Sequence, residues 1–226
     1  MRSLPPRLII SVAAAATAAL ITVGVGIYGL LSGPRQGASP VDGTTSVGSA
    51  SAAPSATEQR QAVNFHPTTT LPHTNDPDVY VRAVSAALFN WDTASGYLPT
   101  DITAAVISDG DPSGEEMPGL TSDVATYEPT TDAWLNLATM DVTQRLQITS
   151  LSVPNDWTTI AATAHGQLRP GTRAITVAGI RHRWGVWLNQ SATSVTPVSF
   201  TVFVACRPTF DRCHVLRLSQ VNNPLP

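Results

Sequence analysis

The chain has 226 residues and a formal net charge of −3, and all thirteen of its basic residues are arginine. No stretch is rich in arginine, which argues against nucleic-acid binding as the main role. After an apolar N-terminal run and a low-complexity stretch are set aside, enough chain remains for one globular domain of ordinary size.

Residues 8–31, LIISVAAAATAALITVGVGIYGLL, carry no charge. A helix rising about 1.5 Å per residue over this length crosses a hydrocarbon core about 30 Å thick. A secretory signal is the competing reading, but its apolar region is usually only about 7–15 residues long, so an uncleaved anchor from Leu8 to Leu31, in contact with membrane lipid, is expected. Arg2 and Arg7 precede the run, which orients residues 1–7 to the cytoplasm and the bulk of the chain outside. Residues 32–71, beginning SGPRQGASPVDGTTSVGSASAAPSAT, are too poor in large apolar side chains to offset their chain entropy and read as a flexible tether.

The outer domain, residues 72–226, opens on a helix over 78–93, capped by Asn75 or Asp76, with Pro77 in the first turn and Tyr80, Val84, Ala87, Leu88 and Trp91 in one apolar stripe. Further helices are expected over 99–107, 119–127 and 132–140, the last capped by Thr130 or Thr131. The period then changes to two. Residues 144–153 alternate, with a phase slip near Ser150 that suggests a bulge. Residues 172–188 place Ile175 and Val177 in one phase and Ile180, Trp184, Val186 and Leu188 in the other, with Gly179 at the switch. Residues 195–206 and 213–221 complete four strands, and a short helical excursion lies within 154–167. Helices followed by a curved four-stranded antiparallel sheet give an α+β domain, in which a cone-like sheet offers a concave apolar pocket.

Cys206 and Cys213 are the only cysteines. Outside the cytoplasm a short-spaced pair reads as a disulfide pinning the last hairpin, worth about 2–3 kcal/mol on the chain-entropy account. A metal site would need Cys206, Cys213, His214 and a fourth ligand that the sequence does not offer.

Residues 76–141 contain twelve acidic side chains and only Arg82, whereas residues 142–226 contain eight arginines against Asp156 and Asp211. The two halves therefore attract, within one domain or between copies, unless each is simply a solvated face.

No serine elbow, zinc-binding helix or glycine-rich phosphate loop occurs, so no enzyme, cofactor or metal is expected. The residues that would line a pocket or interaction site are Trp91, Asp92, His182 and Trp184. An enzyme reading would rest on His182, which shares a face with Ile180 and Trp184, or on Asp92, which could instead bond to nearby backbone donors. Arg181 and Arg183 read as a solvated outer face, and Trp91, Trp134, Trp184 and Trp187 as core anchors. Besides a scaffold, the pattern allows an extracytoplasmic module that binds a small ligand or cell-wall fragment.

The segment ALFNWDTASGYLPTD, with the C-terminal run FTVFVACRPTFDRCHVLRLSQVNNPLP, resembles small conjugal-transfer proteins of mobile elements in GC-rich Gram-positive bacteria. More distantly, the layout resembles the bitopic inner-membrane assembly factor of type IV secretion systems, whose outer domain is nuclear-transport-factor-2-like. The resemblance covers the anchor and residues 76–226. It implies a non-catalytic scaffold that self-associates and contacts other membrane proteins of the transfer apparatus. This chain has one outer domain where some Gram-positive relatives have two, so the oligomeric state does not carry over.

Overall fold

The computed structural model describes residues 65–226. The tail expected at 1–7, the anchor at 8–31 and most of the tether lie outside the described residues. Among those described, no helix is long and apolar enough to cross a membrane. Packing reaches into the segment read as tether: Leu71 is buried in the core, and Phe65 packs against a second apolar cluster.

Helix α1 spans Pro77–Phe89 and starts as its sequence dictates. The Asp76 carboxylate accepts hydrogen bonds from the N–H groups of Asp78 and Val79, and Pro77 occupies the first turn, where its missing N–H costs nothing. Tyr80, Val81 and Val84 are fully buried. The helix stops at Asn90, short of the expected residue 93. Asn90 is extended, with φ −93° and ψ 114°, and its Oδ1 accepts from the Leu146 N–H at 2.9 Å. The next two residues, Trp91–Asp92, form strand β1, pairing with Gln144 and Thr143. The sheet therefore has five strands where the sequence pattern suggested four.

A 3-10 turn at Thr93–Ser95 leads to α2 (Pro99–Ser108), α3 (Met117–Ala125) and α4 (Thr131–Ala138). Thr130 caps α4 through a bond from the Ala133 N–H. Strand β2 (Thr143–Ser152), helix α5 (Trp157–Thr163), β3 (Thr172–Trp187), β4 (Gln190–Ala205) and β5 (His214–Leu218) follow. The strands lie in the order β1-β2-β3-β4-β5, each antiparallel to its neighbours, in a curled half-barrel. The domain is α+β.

The phase slip in β2 is a bulge. Ile148 pairs with Gly179 and Ser150 with Ala178, leaving Thr149 as the extra residue. Leu146, Ile148 and Leu151 consequently all pack against the same core. No switch occurs in β3, contrary to the reading of Gly179. Its pairing with β4 runs unbroken from Thr172↔Ala205 to Trp187↔Gln190. By strand alternation, Ile175, Val177, Gly179, Arg181 and Arg183 share the concave face, while Ile180, His182 and Trp184 lie on the other. Gly179 instead admits the bulged neighbour: a Cβ there would lie 2.8 Å from the Gln147 carbonyl oxygen and 2.9 Å from Leu146 Cδ1.

Leu188 and Asn189, with φ of 48° and 62°, form the left-handed turn that suits a two-residue hairpin between β3 and β4. Cys206 and Cys213 form the expected disulfide across the connection from β4 to β5. The core fills the concave side, where Phe89 stacks on Phe200 with ring centroids 5.0 Å apart and Tyr127 meets both rings edge-on.

The charge asymmetry is resolved in part within the domain. Arg169 pairs with Asp111 and Glu115, Arg212 with Asp109, and Arg217 with Glu116 and Asp123. Each pair ties the acidic α2–α3 region to a base from the later half of the chain.

Candidate functional site

Between the last turn of α1, the segment joining α3 to α4, helix α4 and the concave face of the sheet lies a cavity of about 550 Å3. Its apolar wall comes from Phe89, Trp91, Tyr127, Pro129, Leu137 and Val221, and its polar part from Glu128, Asn136, Gln144, Arg181 and Arg183. A pocket of this size, mostly apolar with a few convergent polar groups, suits a small organic ligand.

The polar groups are held in place. Gln144 is buried; its Nε2 donates to the Phe89 carbonyl at 2.7 Å, and its Oε1 accepts from Arg183 Nε at 2.8 Å. The Arg183 guanidinium lies 5.3 Å from the Trp91 ring centroid, within cation–π range. Burial, then repulsion from Arg181, pushes the Arg183 pKa down to about 10, and burial also lowers that of Arg181. The Nε–H of Arg181 is buried without a hydrogen-bond acceptor. Glu128 Oε1 accepts from the Thr103 hydroxyl at 2.5 Å and forms no ion pair with either arginine.

Of the four residues picked from sequence, Trp91 lines this cavity, in edge contact with Trp134 at 5.3 Å. Asp92 does not: its Oδ1 caps the 3-10 turn by accepting from the Ala94 N–H. His182 sits on the opposite face of β3, stacked on Trp184 at 5.7 Å, with Nε2 3.2 Å from Gln147 Oε1. Trp184 borders a smaller cleft of about 140 Å3 with Met140, Val142 and Trp187. The structure thus keeps His182 and Trp184 together, on the face away from the cavity that Trp91 lines. The arginines assigned to a solvated face line the cavity, and Trp187, expected in the core, is 59% exposed. Continuity of phase from Val177 through Gly179 was the signal that could have placed Arg181 and Arg183.

A second cluster of titratable groups joins α1, the end of α2 and β5. The Tyr80 hydroxyl donates to Asp109 Oδ2 at 2.6 Å and accepts from the Val215 N–H. Arg212 pairs with the other Asp109 oxygen, and His214 Nδ1 lies 3.2 Å from the Asp109 carbonyl oxygen. Burial, reinforced by the Asp109 carboxylate, raises the Tyr80 pKa well above that of an ordinary phenol. Its bonds lock helices to strand.

Comparison of the chain with protein-family models, with characterised proteins and with solved structures finds no match.

Proposed function

We propose that this chain is a membrane-anchored scaffold or assembly component of a conjugative, type IV secretion-like transfer apparatus. Residues 8–31 hold it in the cell membrane, and a nuclear-transport-factor-2-like outer domain acts through protein–protein contacts with other membrane proteins of the apparatus and with further copies of itself. The observation that carries the reading is architectural: helices packed into the concave side of a curled antiparallel sheet, following an apolar run and a low-complexity tether. The exposed β3–β4 hairpin, with Trp187 and Leu188 at its tip and Val195 further along β4, supplies apolar surface for such contacts.

The pairing of Asp109, Asp111 and Asp123 inside the domain removes part of the charge on which stacking of acidic on basic halves would rely. The test is the transfer frequency of the element that carries the gene. An in-frame deletion should abolish transfer, the full chain should restore it, and a chain lacking residues 1–31 should not. Unchanged transfer in the deletion strain overturns the proposal.

A further inference from the structure

Arg181 and Arg183 are the two basic side chains on the cavity wall, and among the described residues neither forms an ion pair. Arg169, Arg212 and Arg217 each meet a carboxylate within 2.7 Å, whereas the half-buried pair on the cavity wall meets none among the described residues. Two guanidinium groups at positions i and i+2 of one strand face stand about 6–7 Å apart at the backbone. On a partly desolvated wall each charge is costly, and Arg181 repels Arg183.

We propose that the cavity binds a small organic anion, its carboxylate or phosphate held by Arg181 and Arg183 and its aromatic or short apolar body seated against Phe89, Trp91 and Leu137.

Four observations carry this. The volume is that of a small-ligand site. The buried Arg181 Nε–H has no acceptor, and a buried donor without a partner is rare enough to need an explanation. Gln144, itself fixed on the Phe89 carbonyl, engages Arg183 through Nε alone, so the terminal nitrogens of Arg183 have no hydrogen-bond acceptor among the described residues. Guanidinium planes match carboxylate and phosphate oxygens in paired, charge-assisted hydrogen bonds. Finally, the one carboxylate on the wall, Glu128, accepts from Thr103, so a single negative charge stands against two positive ones and the wall stays net positive.

The test is titration calorimetry on the full chain in detergent, with phenylacetate, phenyl phosphate and neutral 2-phenylethanol as probes. At least one anion should bind, and 2-phenylethanol should bind at least about tenfold more weakly, the loss expected when a charge-assisted contact is missing. The Arg181→Gln/Arg183→Gln double variant should weaken the preferred anion by at least about tenfold, while Arg173→Gln, an exposed change on the same strand, should leave it unchanged. Phenylacetate and phenyl phosphate distinguish a carboxylate site from a phosphate site, and preference for either supports the proposal. Leu137→Trp fills the apolar end, leaves both arginines intact and should weaken binding; it keeps the test decisive if the double variant does not fold. The proposal is overturned if neither anion gives heat at millimolar concentration, if 2-phenylethanol binds as tightly, or if Arg173→Gln loses as much as the double variant. Binding is measured on the purified chain, so it can fail while the transfer reading stands, and the reverse.

Discussion

Asp111 offers a direct measure of how much the acidic and basic halves of the domain contribute to each other. Its side chain is fully buried. It accepts from Arg169 at 2.6 Å, from the Ser113 hydroxyl and N–H, and from the Glu116 N–H at 3.0 Å. Asparagine at this position keeps one acceptor oxygen but turns an amide donor toward these donors and leaves Arg169 with Glu115, whose side chain is 78% exposed and whose pairing is worth at most about 1 kcal/mol. Breaking one side of a buried pair costs about 3 kcal/mol, which for a domain of this size lowers the melting temperature by about 6–12 °C. All five tryptophans lie between residues 91 and 187, so their fluorescence during urea unfolding of the full chain reports the outer domain. A double-mutant cycle of Asp111→Asn with Arg169→Gln should give a coupling of about 1.5–3 kcal/mol. Burial alone would raise the Asp111 pKa, but the bonds from Arg169, Ser113 and Glu116 outweigh it and hold the carboxyl well below the usual range. Its contribution is therefore complete above about pH 4, the unfolded value, and is lost as pH falls through the depressed folded value; Asp111→Asn should flatten that acid limb. A loss below about 1 kcal/mol, or a coupling below about 0.5 kcal/mol, refutes the reasoning.

Reduction of the Cys206–Cys213 disulfide opens a loop with a sequence separation of 7 and should cost about 2.5 kcal/mol, read as a shifted urea midpoint alongside the mass gain on alkylation after reduction. Gly179→Val places a branched side chain against the Gln147 carbonyl and Leu146 and should destabilise by about 1–3 kcal/mol through overpacking; a neutral result would show that the bulge is not held so closely. The depressed Arg183 pKa, about 10, means that the folded domain bears the cost of that charge throughout the neutral range. Because the folded value is depressed, stability linked to this group rises only as pH climbs above about 10 and is absent below it. Arg183→Met should then be nearly neutral at pH 7, within about 1 kcal/mol, because relief of the charge offsets the lost Gln144 bond. A loss comparable to that of Asp111→Asn would show that Arg183 is a structural residue.

Helix starts were legible because capping is local: Asp76 and Thr130 cap the helices they precede in sequence. The early end of α1 was not, since what stops it is Leu146, whose N–H claims the Asn90 side chain from 56 residues away. The same holds for β1, a strand of two residues that exists only through its partners Gln144 and Thr143. The bulge in β2 was visible as a phase slip within one strand. In β3 a similar pattern was misleading, because Ile180, His182 and Trp184 form an apolar stripe on the face away from the cavity. Periodicity separates the two faces of a strand, but it does not say which one the helices cover.

That ambiguity bears directly on the site. An apolar stripe containing His182 looks like the inner face of a cone, and a pair of arginines looks like its outer face. The structure reverses the two because arginine has a long aliphatic stem that lies along an apolar wall while its head group stays polar, and because Trp91 and Gln144 each give Arg183 a fixed contact. Stability does not explain the arrangement. Three other arginines take up the carboxylates of Asp109, Asp111 and Asp123, whereas the pair at the cavity is half-buried, repels itself and faces only Glu128. Replacing one of them with a neutral side chain of similar size should therefore cost the fold little. Retention of both charges on the wall of a small-ligand-sized cavity follows naturally if the missing counter-charge arrives with a ligand.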